Sequence, residues 1–263
     1  PTVKFHQCRG ALSGVMAALL AQQKFVATRE FLTAHDGGLY RTYTNGGRPE
    51  AVTADLGRRW ELEQIALRPW PSASTIQGLI TAMFDLVEKN AIDAAQVKKL
   101  RISVGKTAFD MHGIFPRYQG KFEALLSIHY AAAVILHDRQ LTLAQFDPAR
   151  YNDPRLRHFS AEQVEVVCDP ALTGVQAIVE AETSAGARYS SRCDFPRGSP
   201  ENRLTRAQVI DKFRTYARPR LAASRMDNII DAVSRLETLG SARTLMDLLR
   251  TGEEAPQRRS AAA

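Results

Sequence analysis

The sequence predicts an α+β fold, and three observations carry that prediction. Apolar residues recur at helical spacing over 74–89, where Ile76, Leu79, Ile80, Met83, Phe84 and Val87 share one face. Strand patterns follow. Residues 99–107 alternate apolar and polar, Val164 to Cys168 and Val175 to Glu182 are short runs rich in valine, and Gly186 turns the latter into an extended run through Cys193, as in a hairpin. Helical periodicity returns after Thr205, with Val209, Ile210, Phe213 and Tyr216 on one face; Pro219 interrupts it, and Met226, Ile229, Ile230, Val233 and Leu236 continue it.

The remaining elements follow in order. Residues 11–35 read as helices broken around Phe25 and Thr28, with Ala11 to Ala21 expected to be buried. Residues 36–58 are a glycine-rich loop region, and 60–68 form an expected strand. The helix over 74–89 has Ser72 or Ser74 as its expected cap. Residues 120–137 read as one long helix whose Ala131, Ala132 and Ala133 permit close packing. The polar tail from Gly252 is expected to be disordered.

Composition narrows the function. With 263 residues, 44% of them apolar and 24% charged, the chain suits one large domain or two small ones with real cores. No apolar run is long enough to cross a bilayer and no signal-peptide layout is present, so no membrane partner is expected. The formal charge is +7, but the basic residues are dispersed and no nucleic-acid motif accompanies them. Cys8, Cys168 and Cys193 are far apart and odd in number, which reads as reduced thiols in a cytoplasmic protein. His35-Asp36-Gly37-Gly38 lacks a second ligand pair, so no metal and no cofactor are expected.

The most informative stretch is Leu67-Arg68-Pro69-Trp70-Pro71-Ser72-Ala73-Ser74. A strand-like run ends in a fixed cation, two prolines enforce an extended turn, and a helix starts. A cation beside the free N–H groups of a helix start is a physical recipe for holding a carboxylate or phosphate.

That stretch resembles the Lys-Pro-Tyr-Pro-Ser-Cys signature of the MmgE/PrpD family, which includes 2-methylcitrate dehydratases, cis-aconitate decarboxylases and iminodisuccinate epimerases. Three further blocks agree in order. Lys4-Phe5-His6, with Gly14 and the helix after it, resembles the family's lysine-containing loop. Glu123 to Ala131 resembles the block written Ala-Lys-Phe-Ser-Leu-Pro-Tyr, with Leu125 in place of the basic residue and His129 in place of the proline. Gly198-Ser199-Pro200-Glu201-Asn202-Arg203-Leu204-Thr205, followed by Lys212-Phe213, resembles the Gly-x-Pro-x-Asn-Pro-Leu-Ser motif and its helix.

The resemblance implies an inserted α+β (lid) domain flanked by helices of an all-α domain. Residues 1–58 would be the end of the helical domain and a connecting loop, 59–200 the inserted domain, 201–251 the returning helices and 252–263 a tail. Roughly the first two-fifths of a typical member would be missing, so the chain is expected to be a fragment, a processed piece or one subunit of a split enzyme. It also implies proton abstraction next to a carboxylate of a small di- or tricarboxylic acid. Dehydration is the expected outcome; epimerisation, isomerisation or decarboxylation, or a non-catalytic carboxylate-binding subunit, are the alternatives. Lys4, His6 and Tyr118 are the implied catalytic residues, with His112 competing for the place of Tyr118. Arg68, Ser72 and His129 are the implied substrate-binding residues. Arg68 stands where members carry a pocket lysine; an arginine clamps a carboxylate but does not serve as a base. Ala73 stands where members carry Cys or His. A homodimer is expected, with a possible N-terminal helical segment or subunit supplying the remaining catalytic groups, and without it the lone chain is expected to be inactive.

Overall fold

The computed structural model describes residues 2–114, 116 and 118–250, with side chains from residue 5 onward. Two compact units are present, Pro1–Trp60 and Glu61–Ala263. The expected disordered tail lies outside the described residues.

In the first unit, α1 runs unbroken over Thr2–Gln22, followed by turns and the short helices α2 (Leu39–Tyr43) and α3 (Glu50–Thr53). Two expectations are corrected here. Lys4 and His6 lie within the first turns of α1 rather than on a loop before it, because no glycine or proline stands between Pro1 and Gly10 to stop the alanine- and leucine-rich helix from propagating backwards. The helix is also exposed rather than buried: Leu12, Val15, Met16, Leu19 and Leu20 all face outward.

The second unit contains the core. Residues 61–64 form a 3-10 turn, and the chain beyond is held by the Leu67 N–H donating to the Gly198 carbonyl at 2.8 Å; among the described residues the strand expected over 60–68 has no sheet partner. Glu61-Leu62-Glu63-Gln64 offers little of the β-branched character a strand uses. After a 3-10 turn at Ser74–Ile76 come α4 (Gln77–Asn90), β1 (Val97–Val104), α5 (Lys106–His112), α6 (Lys121–Leu126), α7 (Ile128–Asp138), α8 (Pro148–Tyr151), α9 (Pro154–Glu162), β2 (Val164–Cys168), β3 (Ala177–Thr183), β4 (Arg188–Cys193), α10 (Arg206–Ala217), α11 (Ala223–Ser234) and α12 (Ala242–Leu249).

The four strands form one mixed sheet in the order β2-β1-β3-β4, with β1 parallel to β2 and antiparallel to β3. Strand alternation puts Leu100, Ile102, Val104, Ala177, Val179 and Ala181 on a buried face, covered by α4 over β3 and β4 and by α7 over β2. Lys99, Arg101, Glu180 and Ser190 point to solvent.

The expected single helix over 120–137 is two helices. Ser127 between them is extended (φ −78°, ψ 120°) and its hydroxyl oxygen accepts from the Tyr130 N–H at 3.0 Å, capping α7. A serine that satisfies a free amide outside the helix competes with continuing it. Neither Ser72 nor Ser74 is a cap. Ala73 precedes the 3-10 turn without a side-chain bond, and the Ser72 hydroxyl instead donates to the Leu125 carbonyl at 2.7 Å.

That hydrogen bond joins the lead-in of α4 to the lead-in of α7. At the other end Arg139, which follows α7, donates to the carbonyls of Val87 at 2.9 Å and of Ile92. The two helices therefore pack parallel, starts together and ends together. Their starts lie at the edge of the sheet where β1 ends: Gly78 abuts the Val175 carbonyl, just before Ala177, which pairs with Val104. A Cβ at residue 78 would come within 1.7 Å of that oxygen, so only glycine fits.

Candidate functional site

Parallel helix starts are unusual company, because each carries unsatisfied N–H groups and the positive end of its macrodipole. The side chains around this end are mostly uncharged or cationic. The Trp70 ring stacks on Phe84 at 4.9 Å, and the Gln77 side-chain amide donates to the Ala73 carbonyl at 3.2 Å and the Trp70 carbonyl at 3.4 Å. These contacts fasten the proline-rich segment to α4. The Arg68 Nη1 donates to the Ser72 carbonyl at 2.9 Å, and Arg68 is exposed and makes no ion pair among the described residues.

Two histidines lie at the same end. His112 closes α5; it is 2% exposed, the Leu126 backbone lies close enough to its ring to raise its pKa, and neither ring nitrogen has a partner at full hydrogen-bond geometry among the described residues. Burial lowers its pKa, offset in part by the Leu126 backbone. His129, in the first turn of α7, is 5% exposed, and its Nδ1 is without a partner. Burial brings its pKa down to about 4, so the ring is neutral at neutral pH. The Thr75 hydroxyl and the Gln77 side-chain oxygen are also buried without partners. Buried polar atoms normally find a partner, and several orphans beside one pair of helix starts mark a place prepared for a polar ligand. Of the acidic side chains close in sequence to the histidines, Glu123 accepts from the Gln119 N–H at 2.7 Å and Asp110 pairs with Lys106 at 2.7 Å. Such an arrangement suits an anion with several acceptor oxygens.

Ser72, Arg68 and His129 of the expected set thus converge here. Tyr118 packs under α7: it is 1% exposed, its ring lies 4.8 Å from that of Tyr130, and the Arg157 guanidinium sits 5.4 Å above it and donates to its carbonyl at 2.8 Å. Burial raises its pKa. The Tyr130 hydroxyl donates to the Gln145 carbonyl, as expected of a packed aromatic. His6 is exposed on α1, edge-on to Phe5, and the side chain of Lys4 lies outside the described residues. Thr75 and Gln77 were missed by sequence reasoning; a polar pair opening an otherwise apolar helix was the available signal. Among the described residues no group of three or more His, Cys, Asp or Glu is arranged to hold a metal ion, and all three cysteines are free.

Residues 70–238 match the MmgE/PrpD C-terminal domain, which is more than half of the chain, and the chain belongs to the MmgE/PrpD family. Among individual proteins, it is similar to cis-aconitate decarboxylase of Aspergillus terreus, 23% identical over 265 residues that cover 94% of this chain and 54% of that protein. Cis-aconitate decarboxylase of Homo sapiens is 23% identical over 261 residues, covering 95% of this chain and 53% of that protein. The chain spans about half the length of the curated relatives it matches.

Proposed function

We propose that this chain forms the carboxylate-gripping part of a lyase acting on a small di- or tricarboxylic acid. The observation that supports it above all is the parallel pairing of α4 and α7, which brings two helix starts, an Arg68 without an ion pair among the described residues and unmet ring nitrogens of His112 and His129 to one end of the sheet. Arg68 takes one carboxylate through its free N–H groups, and Ser72 and His129 border the bound acid. Charge that builds on that carboxylate when the neighbouring carbon loses a proton is met by preorganised donors, which is where such sites gain most of their rate. The similarity to cis-aconitate decarboxylases favours loss of carbon dioxide from a tricarboxylate over the loss of water that the sequence suggested. The catalytic roles of Lys4, His6 and Tyr118 rest on the family resemblance.

A helical stretch with no charged side chain, as Ala11 to Ala21 is, needs covering. The proposal therefore includes a helical segment or subunit laid against α1, whose Leu12, Val15, Met16 and Leu19 are exposed, together with a homodimer in the cytoplasm. Calorimetric titration of cis-aconitate and citrate into the folded chain tests the grip. Saturable binding is expected, weakened about 10- to 100-fold by Arg68→Gln, the range for one charge-assisted bond. A folded chain that binds neither acid overturns the reading. Carbon dioxide release after addition of the helical segment distinguishes decarboxylation from dehydration.

A further inference from the structure

The fold gives His112 little to do. Its ring is buried, and the polar group that reaches it is the Leu126 backbone, which can engage only one nitrogen and does not meet full hydrogen-bond geometry. A leucine or phenylalanine would fill the space without the cost of a stranded polar atom. A ring nitrogen left unmet beside the lead-in to α7 is instead suited to a ligand that brings hydrogen-bonding groups of its own.

We infer that His112 is the proton-accepting contact of this site: the di- or tricarboxylate enters with one proton from solvent, which settles on the His112 imidazole and is shared in a hydrogen bond with a substrate carboxylate. The inference rests on the carboxylate reading above and adds the proton to it. Its balance is simple. The empty site holds a neutral imidazole; the filled site holds an imidazolium beside a carboxylate; release of the acid returns the proton to water.

The surroundings favour this assignment. Helix α5 packs on β2 and on the Ser74–Ile76 turn, with α6 and α7 meeting beside Leu126. Of the ionisable groups on these elements, Lys106 pairs with Asp110 at 2.7 Å, Glu165 pairs with Lys99 at 2.9 Å, and Glu123 is occupied by the Gln119 N–H. Lys121 and Cys168 are exposed, and the turn carries none. Among the described residues no charged side chain contributes to the lowered pKa of His112, so an incoming carboxylate would bring that ring a counter-ion. Burial brings His129 to about 4, and its ring is neutral at neutral pH.

The test is titration calorimetry with cis-aconitate on the full chain at pH 7, in buffers of differing ionisation enthalpy. The slope of observed heat against buffer enthalpy counts protons taken up per acid bound. Net uptake is expected, with affinity falling by up to about tenfold per pH unit above the pKa of the filled site. His112→Gln and His112→Asn should remove the uptake while His158→Gln, exposed on α9, keeps it. The ring ¹⁵N shifts of His112 in the wild-type chain should move from neutral to imidazolium as cis-aconitate is added, a readout that needs no variant. Binding without proton uptake, or uptake that survives in the His112 variants, overturns this inference and leaves the carboxylate reading standing. Absence of binding overturns both.

Discussion

Replacing Gly78 by alanine tests the placement on which the site depends. An ideal Cβ there would lie 1.7 Å from the Val175 carbonyl oxygen and 2.9 Å from its carbon, where carbon contacts normally sit at about 3.5 Å. Neither backbone has room to give. Helix α4 is anchored by Leu79, Ile80 and Met83, all fully buried, and Val175 leads into β3, paired on both sides. Overpacking of a tight site costs about 1–3 kcal/mol or more, and two opposed backbones put this case at the upper end or beyond. The better helix propensity of alanine returns about 1 kcal/mol. A net loss of roughly 2 kcal/mol or more follows, or about 4–8 °C in Tm for a unit of this size. Urea unfolding read by Trp70 fluorescence in a Trp60→Phe background isolates the second unit, since Trp60 belongs to the first. Gly14→Ala, on α1 with nothing within 4 Å of the new methyl, is the control and should be neutral or stabilising. If Gly78→Ala behaves like Gly14→Ala, α4 does not start against Val175 and the convergence of helix starts at the sheet edge is wrong.

Three other outcomes are expected. His129 is held at about 4 against an ordinary 6.5, so the unfolded chain binds more protons between those values; the stability this provides is complete above pH 6.5 and is lost as pH falls toward 4, by up to roughly 3 kcal/mol, and His129→Gln should flatten that part of a stability–pH curve. Ser127→Ala removes the cap of α7 and should cost about 1 kcal/mol in chemical denaturation, with Ser127→Asn restoring part of it. Arg139→Ala strips both carbonyl contacts that tie the far ends of α4 and α7, and hydrogen exchange at 87–92 should quicken while the start of α4 keeps its protection.

Periodicity alone revealed the amphipathic face of α4, the valine-rich strands β2 and β3, and the hairpin that Gly186 opens (φ 83°), because each satisfies a local rule that packing reinforces. The failures share a cause. Residues 60–68 looked like a strand because strand pattern is local, whereas having a partner is not; the sheet filled its β1 neighbours from residues 164–183 instead. The serine at 127 was read as a helix interior residue, yet its hydroxyl captures an amide three residues on and divides the helix. Helices α5 and α9 carry short, mixed patterns with few apolar positions and drew no prediction. In the site, Arg68 was legible from its setting before two prolines. The orphaned nitrogens of His112 were not, since a missing partner is a property of the packed interior rather than of any spacing in the chain.

The two resemblance blocks at 67–74 and 123–131 acquire a common physical meaning in the fold. Each is the lead-in to one helix of the parallel pair, and they meet through a backbone carbonyl, that of Leu125, and the Ser72 hydroxyl. The loss of a basic side chain at 125 therefore leaves the joint intact, because the joint uses the main chain, while Leu125 itself packs partly against the core. Position 129 is different. A proline in the first turn of a helix lacks only an N–H that would be unsatisfied anyway. The histidine in this chain adds a buried ring nitrogen without a partner, at the place where two helix starts already favour negative charge. A chain that had lost its ligand would be expected to relieve that cost with an apolar residue. Carrying unmet buried ring nitrogens at 112 and 129, alongside an arginine with no ion pair among the described residues, makes energetic sense when a bound acid supplies the missing partners.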